Sequence, residues 1–320
     1  MSRSTILFLA AFFATALATA KLRADSIALS NVQTVATPFV QGAYQVAIND
    51  LGVIAGTGSS GGSQVGFVIP TSGSPYLIQA PGAASTQING INNSGTLVGY
   101  SLTSSYAFEG FSYSNGTFTP ISVGPYTYVE GINNKGDVTG YYGTPGDTAT
   151  GFLIHGGVTT SFYIPGYQLN TFPTGVNDSD QVVGYYNGTS GGFLRQANGS
   201  FTTFGFPAAG INNSGIIVGS AAGTEDNSLG AVMMNGIEYT FSFPGAVDTF
   251  IDGINNNGEV IGTYLDSDYS PHVFEGQIGT STPEPAMEAG LGILIVFGIA
   301  MVRRRACHYN SGSCAKPFPF

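Results

Sequence analysis

Six asparagines recur at one place in a repeated motif: Asn49, Asn92, Asn133, Asn177, Asn212 and Asn255. An amide side chain both donates and accepts, so six of them placed by symmetry could ring one end of an array and present amides to a ligand. Asparagine ahead of a glycine turn more often hydrogen-bonds its own backbone. Because the residue recurs wherever the turn recurs, a structural role in the turn is expected. Carboxylates offer a second chemistry. Glu109, Glu130, Asp248, Asp252 and Glu275 could supply the two acids of a glycosidase or lyase, which must stand about 5 to 9.5 Å apart. Asp266-Ser267-Asp268 and Asp178-Ser179-Asp180 point toward calcium, but the further oxygen ligands, the glycine and the bidentate Glu of a calcium loop do not follow, and solvated loop acids are expected. Of the three histidines, His155 adjoins Gly156-Gly157, His272 opens a strand and His308 falls in the last 14 residues. No pair has metal-ligand spacing, so neither a metal nor a cofactor is expected. No nucleophile elbow, phosphate loop or dinucleotide fingerprint stands in a suitable context, and no catalytic residue is assigned. Tyr141-Tyr142 and Tyr185-Tyr186 could stack on sugar rings, although in such pairs one ring usually packs while the other points outward.

The elements that must position these residues follow from the repeat itself. The copies begin at Ile48, Ile91, Ile132, Val176, Ile211 and Ile254, at intervals of 43, 41, 44, 35 and 43 residues. A near-constant period of this size marks an array of like supersecondary units. In each, an extended segment runs into Asn followed by Asn or Asp, then a Gly (Asp180 in the fourth copy), then an apolar run, then a second Gly. Such a turn between apolar runs is a hairpin. The run after it is apolar on both parities, as in Val182-Val183 and Val260-Ile261, which predicts a strand covered on both faces. A third strand follows (for example Gly151-Phe152-Leu153-Ile154), then a tight turn such as Asn115-Gly116 or Asn235-Gly236, a fourth strand, and in most units a Pro that breaks the ladder. Four short strands in about 41 residues is the size of a propeller blade. The prediction is an all-β, six-unit propeller-like array. Its last unit stops after three strands near Gly279, and Ser26 to Ala36 supplies the fourth and closes the ring. An open solenoid is the rival architecture, but it would need caps.

Composition agrees. The 320-residue chain has 47 Gly but is 42% apolar, so the glycine excess reads as turns rather than as a disordered linker. Between Asp25 and Thr282 only Lys135 and Arg195 are basic, against 17 acidic residues, a formal charge of −15. That sign disfavours a nucleic-acid partner. Both cysteines, Cys307 and Cys314, lie in the last 14 residues, so the body has neither a disulfide framework nor a Cys-based metal site.

The ends read as address labels. Residues 1–24 have the charge, apolar core and Ala18-Thr19-Ala20 cleavage pattern of a secretory signal. Residues 25–280 form the repeat body. In residues 281–305, Pro283-Glu284-Pro285 precedes an apolar stretch and then Arg303, Arg304 and Arg305, a short helical span with its basic cluster inside. This order resembles the PEP-CTERM sorting signal. The resemblance implies recognition by an exosortase-type protease, a transient anchor in the inner membrane, and export of the body to the cell surface or matrix. Residues 306–320 form an atypical tail beyond the family pattern. The body, from about Gln41 to Gln277, resembles the HAF-type extracellular repeats, whose units read approximately Gly-Phe-Leu, a hairpin, Pro-Gly, then Gly-Ile-Asn-Asp-x-Gly-x-Val-Val-Gly-Tyr. His272-Val273-Phe274 and Tyr106-Ala107-Phe108 are what remains of its naming triplet, and the usual Trp is absent. That likeness implies an exported, propeller-like domain but no particular activity. Six turn-centred repeats without a catalytic constellation lead instead to the expectation of a structural, adhesive or ligand-binding role, with extracellular polysaccharide as a partner. A carbohydrate-active hydrolase or lyase using acids on one face is the alternative.

Overall fold

The computed structural model describes residues 29–39, 42–144, 148–166, 170–186, 191–223 and 227–279. The signal segment, the sorting segment with Pro283 to Arg305 and the tail lie outside the described residues, as do parts of the loops Gly143 to Ala149 and Ala221 to Ser228. Among the described residues no helix is long and apolar enough to cross a membrane.

The chain enters as β1 (Leu29–Val35). Blade 1 is β2 (Ala43–Ile48), β3 (Ile54–Ser60), β4 (Ser63–Ile69) and β5 (Tyr76–Ile78). Blade 2 is β6 (Ala83–Ile91), β7 (Leu97–Thr103), β8 (Phe108–Ser114) and β9 (Thr117–Ile121). Blade 3 is β10 (Thr127–Ile132), β11 (Val138–Tyr142), β12 (Thr150–His155) and β13 (Val158–Phe162). Blade 4 is β14 (Thr171–Val176), β15 (Val182–Tyr186), β16 (Gly192–Arg195) and β17 (Phe201–Phe204). Blade 5 is β18 (Ala208–Ile211), β19 (Ile217–Ala222), β20 (Ser228–Met234) and β21 (Ile237–Phe241). Blade 6 is β22 (Asp248–Ile254), β23 (Glu259–Leu265) and β24 (Pro271–Ile278), completed by β1. Every sheet is a four-stranded antiparallel meander, and Leu29 pairs with Ile278 and Val35 with Val273 across the closing seam. The fold is a six-bladed β-propeller closed by its N-terminal strand. Blade 1 also has the fourth strand that its sequence does not announce, only three residues long.

The doubly apolar second strands are buried on both faces, as in Leu97-Val98-Gly99 and Val182-Val183-Gly184. Six apolar clusters fill the six seams. One joins blades 5 and 6 through Val218, Val232, Ile251 and Phe274, and another joins blades 6 and 1 through Val46, Phe67, Ile261 and Val273. Phe67, Phe152, Phe193 and Phe274 from the third strands are completely buried, each contributing roughly 1.5–3 kcal/mol relative to exposure. The second Gly of each repeat is required by strand approach. A Cβ on Gly140 would lie 2.0 Å from the Tyr128 carbonyl oxygen, and the equivalent atom on Gly56, Gly99, Gly184, Gly219 or Gly262 would lie 1.9–2.2 Å from the matching carbonyl. The first Gly holds a left-handed turn, and Asp180 takes that conformation in blade 4 with φ 59°.

Candidate functional site

The first strand of each blade lies innermost and ends at the Asn turn, so the six turns meet around the axis at one end. Each asparagine works twice. Its Oδ1 accepts the backbone N–H groups two and four residues ahead, holding its own turn. Its Nδ2 donates to the carbonyl of the equivalent Asn in the next blade: Asn49 to Asn92 at 3.0 Å, Asn92 to Asn133 at 3.2 Å, Asn133 to Asn177 at 3.0 Å, Asn177 to Asn212 at 3.0 Å, Asn212 to Asn255 at 3.2 Å, and Asn255 back to Asn49 at 3.0 Å. All six are buried. The amides are therefore used within the ring and do not face a ligand.

A second ring of the same sense lies beside it. The backbone N–H groups of Asp50, Asn93, Asn134, Asp178, Asn213 and Asn256 each donate to the side-chain Oδ1 of the next member at 2.7–2.9 Å. Asp50 Oδ2 also accepts the amides of Asn93, Asn134 and Asn256. Desolvation raises the Asp50 carboxyl, but the hydrogen bonds from Asn256, Asn93 and Asn134 outweigh it and hold the group below its ordinary value. Asp178, considered above as a calcium-loop acid, is thus a ring member. Asp266 instead closes its own loop by accepting Asp268 and Ser270 N–H, and its Oδ2 meets His272 Nε2 at 2.7 Å.

Deeper along the axis, five inner strands carry a β-bulge just before the turn. The bulged residues are Asn89, Glu130, Thr174, Ala209 and Asp252, and all five line the lumen, with about 450 Å³ of open space. A bulge re-aims one side chain, and here it directs two carboxyls into a channel walled by six sheets. Both retain some contact with lumen space, yet desolvation deep in the ring pushes Glu130 up to about 8. Desolvation likewise pushes Asp252 up to about 8 against an opposing hydrogen bond from Thr263. Asp252 Oδ2 and Asn89 Oδ1 are buried without a hydrogen-bond partner. Of the five acids weighed in the sequence, these two share the lumen. Glu109 is exposed, Asp248 caps Ser228 N–H at 2.7 Å, and Glu275 bonds Gln33 of the closing strand.

At the end of the lumen away from the Asn turns lies a run of aromatic rings crossing blades 2 to 4. Tyr100 meets Tyr128 edge-on at 4.9 Å, Tyr128 stacks on Tyr141 at 4.6 Å, Tyr141 meets Phe172 at 5.0 Å, and Phe172 stacks on Tyr185 at 4.9 Å. The residue after the second Gly is Tyr100, Tyr141 and Tyr185 in these blades but Ser220, Thr263 and Thr57 in the other three. One half of this tier is therefore aromatic and the other half small and hydroxylic. Desolvation, and then the Glu130 charge, raise the hydroxyls of Tyr100, Tyr141 and Tyr185, which places Glu130 within electrostatic reach of all three. Tyr185 is exposed while Tyr186 is buried in the blade 4 core. Tyr141 faces this run, and Tyr142 turns aside to bond Ser161 at 3.3 Å. Neither basic residue among the described residues serves the site. Arg195 is buried, with its guanidinium 4.9 Å from the Phe162 ring centre, and Lys135 is exposed on an Asn turn.

These features define a six-bladed β-propeller with an acidic lumen and a one-sided aromatic mouth. No protein-family model matches the chain, and no curated protein matches it in sequence. Among solved structures it is similar to a streptogramin B lyase, at 14% identity and a TM-score of 0.46 over 80% of this chain and 90% of that one. TolB from Acinetobacter baumannii is similar at 10% identity and a TM-score of 0.47, over 67% and 60% of the two chains. The propeller domain of the Trilobed protease from Pyrococcus furiosus gives 8% identity and a TM-score of 0.45, over 74% and 94%. The propeller assignment rests on the strand pairing itself.

Proposed function

We propose that the chain is an exported cell-surface or matrix protein whose aromatic mouth binds a neutral polysaccharide, giving it an adhesive role. The carrying observation is the run of Tyr100, Tyr128, Tyr141, Phe172 and Tyr185, with lumen-lining Glu130 two residues beyond Tyr128 on β10. Ring faces stack on the apolar faces of sugars, and a carboxyl at their base hydrogen-bonds hydroxyls. A net acidic body repels polyanions, and among the described residues no basic side chain at the mouth offsets it. Binding is read by retardation in gels containing neutral glucans or galactans. Tyr185→Ala and Tyr141→Ala should abolish retardation while leaving the folded spectrum unchanged. Unaltered retardation in both variants would refute the site. The proposed route outward is a signal in residues 1–24, a membrane-held helix, and exosortase-type cleavage beside Pro283-Glu284-Pro285. Mass spectrometry of the mature protein should find a terminus near Pro283, and an intact Arg303 to Arg305 would refute the cleavage.

A hydrolase or lyase is the second reading, favoured by the joint placement of Glu130 and Asp252 in one lumen. A carboxyl pushed to about 8 is protonated at neutral pH and can act as a general acid. Polysaccharide turnover lost in Glu130→Gln but retained in Glu109→Gln would support it, and no turnover on any neutral glycan that binds would refute it.

A further inference from the structure

Three departures from the repeat converge on the seam between blades 3 and 4. The residue four after the turn Asn is Val53, Thr96, Gln181, Ile216 or Glu259 in the other blades but Asp137 in blade 3. Asp180 stands where the other five repeats have Gly. His155 ends β12. Their donor atoms lie together. His155 Nδ1 is 3.2 Å from Asp137 Oδ2 and 3.1 Å from Asp180 Oδ1, and the three atoms all lie within 4.8 Å of one another.

Hydrogen bonding alone does not satisfy this group. An imidazole Nδ1 carries at most one proton and cannot serve two carboxylates at once. Asp180 Oδ1 is buried and accepts no aligned hydrogen bond although Nδ1 stands beside it. A divalent ion would satisfy all three donors together. Two ligands about 2.0–2.1 Å from a tetrahedral zinc stand about 3.3 Å apart, close to both His–Asp separations. The outer support is already built. Asp137 Oδ2 accepts Asn133 Nδ2 at 3.0 Å, and its Oδ1 accepts Gly156 N–H at 3.1 Å. Such contacts orient a ligating carboxylate. His155 is half exposed, so an ion has an entry path, while Asp137 is buried.

We infer that Asp137, His155 and Asp180 form a binding site for one divalent transition-metal ion, zinc being the probe of choice, that clasps blade 3 to blade 4. The mixed nitrogen and oxygen donor set selects against calcium and magnesium, which take all-oxygen cages.

The test uses the full-length chain with Cys307 and Cys314 replaced by Ser and His308 by Ala, so that the tail contributes no ligands. After chelator treatment it is titrated calorimetrically with Zn²⁺. One ion per chain should bind, without competition from equimolar Ca²⁺ or Mg²⁺, and should raise the melting temperature. Asp180→Gly restores the residue of the other repeats at a left-handed position, so it folds while removing a ligand. It and His155→Ala should each weaken binding about tenfold or more and abolish the melting shift. His272→Ala, which removes the other His–Asp contact, should change neither. Absence of saturable binding, binding unaltered in both seam variants, or binding lost in His272→Ala would overturn the assignment.

Discussion

Asn212→Ala tests the hub directly. Asn212 is 3% exposed, and its side chain makes three bonds: Oδ1 accepts Ser214 N–H at 3.1 Å and Ile216 N–H at 3.0 Å, and Nδ2 reaches the Asn255 carbonyl at 3.2 Å. Each is worth about 1 kcal/mol net, and a stranded buried group adds to that. Ser214 is exposed and can turn to water, but Asn255 is buried. The expected loss is therefore about 3 kcal/mol. With a urea dependence near 3 kcal/mol per molar, the midpoint should fall by about 1 M. Asn212→Asp separates the two duties of the residue, because it keeps both turn bonds and places an oxygen against the Asn255 carbonyl. It should destabilise at least as much as Ala. Asn235→Gly is the control, an exposed hairpin-turn residue with φ 54°, and should stay within about 0.5 kcal/mol of the parent. Urea unfolding followed by circular dichroism reads all three. A loss below about 1 kcal/mol for Asn212→Ala, or parental stability for Asn212→Asp, would refute the idea that these amides join the blades.

Gly140→Ala places a Cβ 2.0 Å from a backbone oxygen that cannot yield. It should cost more than about 3 kcal/mol or abolish folding, whereas a change at exposed Thr144 should be neutral by thermal melting. Glu130 and Asp252 rise to about 8 in the folded state from ordinary values of 4.5 and 3.8, so the native protein holds more protons than the unfolded chain between those limits. Stability should be greatest at the acid end of that window and fall as pH rises toward 8. Its ceiling is about 1.4 kcal/mol per pH unit for each carboxyl, and Glu130→Gln or Asp252→Asn should each flatten the fall in urea midpoints. Deleting β1 removes Leu29, Val32 and Val35 from the blade 6 surface and opens the β24 edge. Self-association by light scattering is expected, and a stable monomer would contradict the closing role of β1.

The period, the turn and the doubly apolar strand are local patterns, so the blades and the closing strand could be read from the sequence. What depends on juxtaposition could not. The residue after each turn Asn gives no hint alone that Asp50 will receive amides from three other blades. The lumen had a usable signal, since Glu130-Gly131-Ile132 and Asp252-Gly253-Ile254 put acids directly ahead of the Gly-Ile pair that leads into the turn Asn. Recognising those positions as bulges required the register. The aromatic run was half visible as the Tyr pairs, but its continuity depends on Phe172 and Tyr128 arriving from neighbouring strands. The seam donors come from residues 137, 155 and 180, whose spacing matches no local metal motif.

The hub has a consequence for where the chain can be cut. Asn255 bonds Asn49 at 3.0 Å across the closing seam, and covalently continuous seams show the same contact at 3.0–3.2 Å. Around the axis the ring keeps no record of which blade came first. A circular permutant opened at an exposed outer hairpin such as Asn115-Gly116, with β1 joined to β24 through a linker, should assemble the same hub, so the order of synthesis and the order of blades in space are separable.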